Sequence, residues 1–305
     1  MSRLFVLPIL LMLPATLASP DTASVRATTQ EACVAWGVEK LTAAIEACGG
    51  NAHGDIEVSV AASHDALPES ARKPEGFALS REGDQTRVVG CDAPGAMYGC
   101  LELAHRIAEA RRLPERLDAA EAPGMTLRGT CILLMKLGLY DYPVTPAEFP
   151  FFYDKALWTE YLDFLAENRF NYIAFWNGHP FDYFVKLDRY PEAQDGLEPG
   201  LLERNHDMLM WLAQEAQKRN IWLMFEFYNI HVSVYFAKAH RLPEHGIDTP
   251  TPLLENYTGY CIERFVSEFP SVGLYICPGE SLQMKYTPDW INNVIFGAVK
   301  RTGKT

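Results

Sequence analysis

Two carboxylates, two imidazoles, two carboxamides and several aromatic rings recur in three short segments of this 305-residue chain. They are Trp176-Asn177-Gly178-His179-Pro180, Glu226-Phe227-Tyr228-Asn229-Ile230-His231 and Pro278-Gly279-Glu280-Ser281. Each follows an apolar stretch that reads as a strand. In a parallel barrel the three segments share one rim at the strand C-terminal ends, where barrel enzymes carry their chemistry. Aromatic faces stack on the C–H surface of a sugar ring, and Asn, His and Glu bond its hydroxyls. A carboxylic acid in an apolar setting has a raised pKa and can donate a proton. The set suits glycosidic bond cleavage, in which one carboxyl protonates the leaving oxygen and another acts as base or nucleophile. Glu280 is the candidate general acid. Trp176, Asn177, His179, Glu226, Asn229 and His231 are candidate substrate contacts.

Each of these residues also has a structural reading. Glu280 follows a Pro-Gly turn, as a solvated loop carboxylate would. Glu226 lies among apolar residues and equally suits a buried partner for an arginine such as Arg128. His179 and His231 read as well as hydrogen-bonded structural histidines, and Trp176 as core packing. His206, His240 and His245 fall on helices or loops away from the expected rim.

The elements that must position these residues follow from periodicity. Over residues 30–48 apolar side chains recur at helical spacing (Val34, Val38, Leu41, Ile45) and Gly49-Gly50 ends the run. Residues 56–60, 77–79 and 87–89 alternate like strands, and 96–112 is a second amphipathic helix. Together they predict a small α+β layer. Ala122-Pro123-Gly124 marks a boundary, giving an α+β domain over 20–123 and a second unit over 124–305. There the rhythm changes. Residues 127–134 read as a buried strand, followed by strands at 172–175, 221–227 and 273–277. Helices at 158–168, 203–219, 253–269 and 290–299 alternate with them. Strands alternating with helices predict parallel βαβ units. No Gly-rich phosphate loop follows the first strand, so the expected fold is α/β, a (β/α) TIM barrel.

Composition narrows the partners. The chain is 48% hydrophobic and 22% charged, as folded domains are. Its net charge of −12 opposes binding to phosphate backbones, so no nucleic-acid partner is expected. Residues 1–19 have the basic, apolar and small-residue zones of a signal peptide. The apolar run is shorter than the roughly 20 residues that span a bilayer. The expectation is a secreted or periplasmic protein with no membrane segment in its mature form. Seven cysteines then meet an oxidising compartment, with Cys33/Cys48 and Cys91/Cys100 as two conceivable pairs. No Cys/His cluster has metal-ligand spacing, and neither a metal nor an organic cofactor is expected.

Several of these residues also carry a family resemblance. Pro74-Glu75-Gly76-Phe77, Val88-Val89-Gly90, Asp92, Gly95, Met97-Tyr98-Gly99 and Leu101-Glu102-Leu103 resemble a particular N-terminal domain. It precedes the catalytic barrel in α-glucuronidases (glycoside hydrolase family 67) and β-hexosaminidases (family 20). Arg128-Gly129, Asn171-Tyr172 and the 273–280 strand end resemble the barrels of the same families. The resemblance implies a glycoside hydrolase acting on an oligosaccharide or polysaccharide, with its general acid after the fourth barrel strand, where Glu280 stands. Family 20 places Asp before that Glu. Gly279 stands there instead, so the resemblance lies closer to the α-glucuronidase side, with uronic-acid substrates and an inverting mechanism. It places the base carboxylates beyond residue 305. A complete barrel has eight units in about 250 residues. The four units counted here predict that the chain holds about the first half of one and is inactive alone. The competing expectations are a non-catalytic carbohydrate-binding barrel, a β-hexosaminidase-like enzyme and a metal-dependent barrel hydrolase.

Overall fold

A computed structural model describes residues 23–49, 51–136, 143–228, 230–277 and 281–304. The leader expected over residues 1–19 lies outside the described residues, as do Asn229 and the general-acid candidate Glu280.

The first layer runs β1 (Ser24–Ala27), α1 (Ala32–Ala47), β2 (Asp55–Val60), β3 (Phe77–Glu82), β4 (Gln85–Gly90), α2 (Ala93–Ala110) and β5 (Asp118–Glu121). Its strands form one sheet in the order β1-β2-β4-β3-β5, with β3 antiparallel to both its neighbours and the other pairs parallel. Gly83, at φ +60°, takes the first position of the two-residue turn between β3 and β4, a backbone that favours glycine. Asp92 caps α2 by accepting from the Gly95 amide at 2.8 Å. Helix α2 lies tight on the sheet: a methyl group at Gly99 would stand 2.6 Å from Val88 Cγ1. The periodicity found both helices and the three longer strands. It missed β1 and β5, each four residues long and without a fully buried side chain.

The second layer runs β6 (Gly129–Leu133), α3 (Lys155–Glu167), β7 (Tyr172–Trp176), a single turn α4 (Phe181–Phe184), α5 (Leu201–Lys218), β8 (Trp222–Tyr228), α6 (Val234–His240), α7 (Pro252–Glu268) and β9 (Val272–Cys277). A terminal helical run follows, with a π-helical stretch at Trp290–Ile295. The four strands pair in sequence order and all are parallel, the alternating arrangement that the strand–helix rhythm predicts. Asp154 and Thr251 cap α3 and α7 by accepting from Leu157 and Leu254 amides.

Period-two alternation divides this sheet into two faces. Ile173, Phe175, Leu223 and Phe225 are fully buried and point towards the helices. There Phe175 meets Phe225 at 5.0 Å, and Phe225 meets Phe265 of α7 edge-on at 5.1 Å. The other face is open. Leu133, Trp176, Trp222 and Tyr275 on it are 36–58% exposed. This corrects the expectation of a buried strand at 127–134: Leu127 and Leu133 are exposed, and β6 is buried on neither face throughout.

The two layers are joined through charge. Arg128 pairs with the carboxylate of Glu75, and its Nε donates to the Arg169 carbonyl at 2.6 Å. Asn171 donates from Nδ2 to Glu75 Oε1 at 3.0 Å and accepts from the Arg128 amide at 2.9 Å. Asn220 Nδ2 also reaches Glu75 Oε1, at 3.2 Å. Glu75, Arg169 and Asn220 all hold left-handed backbones, with φ of +64°, +64° and +54°. Arg128 is therefore engaged by Glu75, which overturns the alternative that made it the partner of Glu226. A second contact packs Trp36 of α1 beneath the guanidinium of Arg219, 5.1 Å from the ring centroid.

All seven cysteines lie among the described residues and are free thiols, so neither conceivable pair forms. Cys48, Cys91, Cys100 and Cys261 are buried, as small apolar side chains are. Burial pushes the Cys100 thiol up to about 12. In the native protein a thiol reagent should therefore modify the exposed Cys131 first and these four only after unfolding. Fewer than seven reactive thiols in unfolded, unreduced protein would mean that a disulfide exists.

Glu75→Ala removes the acceptor shared by Arg128, Asn171 and Asn220. It should lower the unfolding free energy by about 1–3 kcal/mol, the usual cost of leaving donors unsatisfied. Glu57→Ala, which breaks the exposed contact with Arg26, should change it by less than about 1 kcal/mol. Urea denaturation of the two variants makes the comparison, and equal midpoints would refute the junction's role.

Candidate functional site

The rim is assembled where β6, β7, β8 and β9 end. Cross-strand register places Leu133, Trp176, Glu226 and Tyr275 in one row on the open face. Trp176 is 36% exposed and stands on that face, not in the core. Glu226, beside it in the row, is only 6% exposed. Burial pushes the Glu226 carboxyl up from the ordinary carboxylate range. Its charge also raises the Cys131 thiol, behind the larger effect of that thiol's own burial, so the two groups sense each other across the open face.

The loop after β7 is held from within. Asn177 is fully buried. Its Nδ2 donates to the Leu134 carbonyl at 3.0 Å and its Oδ1 accepts from the His179 amide at 3.0 Å. The expected substrate amide thus pins the β7 loop to the end of β6. His179 is 1% exposed, and its Nδ1 meets Asp182 Oδ1 at 2.9 Å. The ring stacks on Tyr257 of α7, centroids 5.7 Å apart and planes within 2°, and meets Phe181 edge-on at 5.1 Å. The structural reading of His179 describes this environment.

The loop after β8 is tied to the same framework. The Tyr228 amide donates to the Gly178 carbonyl at 3.1 Å, and the His231 amide to the Tyr228 carbonyl at 3.1 Å. The His231 ring stacks on Tyr228 at 4.8 Å and approaches His245 at 6.1 Å. Burial, with the His179 and His245 imidazoles behind it, pushes His231 down to about 4. His245, expected away from the rim, thus lies against the His231 ring. His240 and His206 do lie apart, bound to Glu192 at 2.8 Å and Glu268 at 3.0 Å.

Three participants escaped the sequence reading. Asp182 is fully buried, and its Oδ2 has no hydrogen-bond partner among the described residues. Its signal was the three-residue spacing from His179 across Pro180, which brings the two side chains to one side of a helical turn. Tyr257 sits mid-helix and is recognisable only once α7 packs on the rim loop. Tyr275 reads as a strand residue, and only register places it beside Glu226. Among the described residues no three His, Cys, Asp or Glu side chains are grouped to hold a metal ion.

Sequence comparison finds no matching family model and no matching curated protein. Comparison of structures is informative. Over 93% of its length the chain matches a GH138 enzyme targeting pectin rhamnogalacturonan II, with a TM-score of 0.81 and 31% identity. It also matches the β-N-acetylhexosaminidase from Bacteroides fragilis over 94% of its length, with a TM-score of 0.60 and 13% identity. The N-acetyl-β-hexosaminidase of Streptomyces plicatus matches at 0.59 and 12% over the same share. The hexosaminidases share the fold alone. The chain spans 43% of the GH138 enzyme and about three fifths of the two hexosaminidases, 62% and 61%. The hexosaminidase side of the sequence resemblance thus reappears in the fold, whereas these likenesses do not include an α-glucuronidase.

An unfolded imidazole titrates near 6.5, so between about pH 6.5 and 4 the unfolded chain holds a proton that folded His231 lacks. The stability contributed by neutral His231 is complete above pH 6.5. It is lost as pH falls towards 4, about tenfold in the folding equilibrium per pH unit. NMR titration of the His231 ring should give a midpoint near pH 4; a midpoint near 6.5 would contradict the burial argument.

Proposed function

We propose that the protein is an exported glycoside hydrolase acting on an acidic plant polysaccharide of the pectin rhamnogalacturonan II kind, with Glu280 as general acid. One observation carries the reading: 31% identity to a GH138 enzyme over 93% of this chain, at a TM-score of 0.81. The open sheet face supports it, because it sets a buried carboxyl between exposed aromatic rings at one row of strand ends. The four parallel strands are read as consecutive strands of a (β/α) barrel, whose site lies at this end.

Within this reading Glu280 follows β9 and protonates the leaving oxygen. Glu226, set between the two exposed rings, forms a hydrogen bond with a substrate hydroxyl. His231, neutral above about pH 4, adds no positive charge and serves as a dipolar contact. A uronic-acid unit as the target keeps the α-glucuronidase-like side of the sequence resemblance. Gly279 before Glu280 argues against the substrate-assisted route that an adjacent Asp supports in family 20.

Assay of the full-length protein on aryl uronides and rhamnogalacturonan II oligosaccharides tests this. Glu280→Gln should lower kcat by about 10²–10⁴-fold, the usual contribution of a general acid, while leaving substrate binding measurable by calorimetry. Sugar binding without turnover in the wild-type protein would instead make it a carbohydrate-binding protein.

A further inference from the structure

We propose that Trp176 and Tyr275 form the two aromatic walls of a cleft that receives a single sugar ring over Glu226, with Tyr275 a substrate-binding residue in its own right. The inference rests on the carbohydrate reading above and adds to it the way the ring is gripped.

Register carries the argument. Trp176 pairs with Glu226, and Glu226 with Tyr275, so one aromatic stands on each side of the carboxyl. Neighbouring strands lie about 4.8 Å apart, so the two aromatics are rooted roughly 10 Å apart. Their exposures of 36% and 58% contrast with the 6% of the carboxyl between them. The row beneath holds no aromatic ring. It contains Cys131, Ala174, Met224 and Gly273. Met224 leans over Gly273, where an added methyl group would come within 2.8 Å of its sulfur. Below that stand Tyr172 and Trp222, with Gly129 giving room to the Tyr172 ring. Rings thus stand above a row without rings, which stands above rings. Rings of this kind offer apolar faces at little conformational cost, having only two rotatable side-chain bonds. The carboxyl supplies the one polar contact that fixes which way the sugar lies.

The test uses the full-length protein and the aryl uronide assay. Tyr275→Ala should raise KM at least about tenfold, as truncation of a buried aromatic anchor does. It should change kcat less than about threefold, the signature of binding shared by ground and transition states. Tyr275→Phe, which keeps the ring, should stay within about threefold of wild type in KM. The urea midpoint of Tyr275→Ala should match wild type and report that the sheet is intact. An unchanged KM in Tyr275→Ala, or a loss confined to kcat, overturns the cleft while leaving the hydrolase reading in place. A wild-type protein that neither turns over nor binds the uronide overturns both.

Discussion

The placement of three of the four strands that carry the rim depends on one partly buried carboxylate. Glu75 comes from the first layer, yet it accepts from Arg128, Asn171 and Asn220, which precede β6, β7 and β8 respectively. One acceptor therefore indexes the starts of three adjacent strands. A strand rises about 3.3 Å per residue, so fixing its start fixes the height of its end. That is how Leu133, Trp176 and Glu226 arrive in one row. The charges are costly to bury unless fully paired, and here backbone carbonyls and two carboxamides complete the pairing. The arrangement tolerates left-handed backbones at Glu75, Arg169 and Asn220, conformations that cost non-glycine residues free energy and persist only where surrounding contacts hold them.

The two faces of the four-stranded sheet divide the labour. The helix-facing side is a dense aromatic core in which Phe175, Phe184, Phe225 and Phe265 meet edge-on or tilted, geometries that ring quadrupoles favour. The opposite face carries the exposed side chains Leu133, Trp176, Trp222 and Tyr275. Rigid rings behind and exposed groups in front suit a binding surface, because a packed backing keeps the exposed groups from moving.

Much of this was legible in the sequence, and the boundary of what was legible is physical. Long, strongly periodic helices such as α2 and α5 and apolar strands such as β7 and β8 announce themselves, because burial on one side imposes a period. Four-residue strands such as β1 do not, having too few residues to show one. The rim segments were visible because strand ends followed by Trp, His, Asn and Glu are unusual among apolar neighbours. What those residues touch was not visible. Asn177 and His179 proved to be spoken for by Leu134 and Asp182, and Arg128 belongs to Glu75 and not Glu226. These are long-range pairings, and a linear pattern carries no distance between positions far apart in the chain. Arg128 and Asn171 carried part of the family resemblance, and their observed work is at the junction, away from the rim. That part of the resemblance reflects how the layers are joined, not what reacts.

The bond from the Tyr228 amide to the Gly178 carbonyl, with Asn177 reaching back to Leu134, ties the ends of β6, β7 and β8 to one another. Loops on a scaffold are usually free to diverge separately. Here a displacement of one strand end is felt at the other two through these bonds. The effects of substitutions across these loops should not add, because residues sharing a hydrogen-bond network couple energetically. The rim would then diversify in blocks, with Leu134, Asn177, Gly178 and Tyr228 inherited together while Trp176 and Tyr275, whose side chains stand clear of that lattice, vary one at a time.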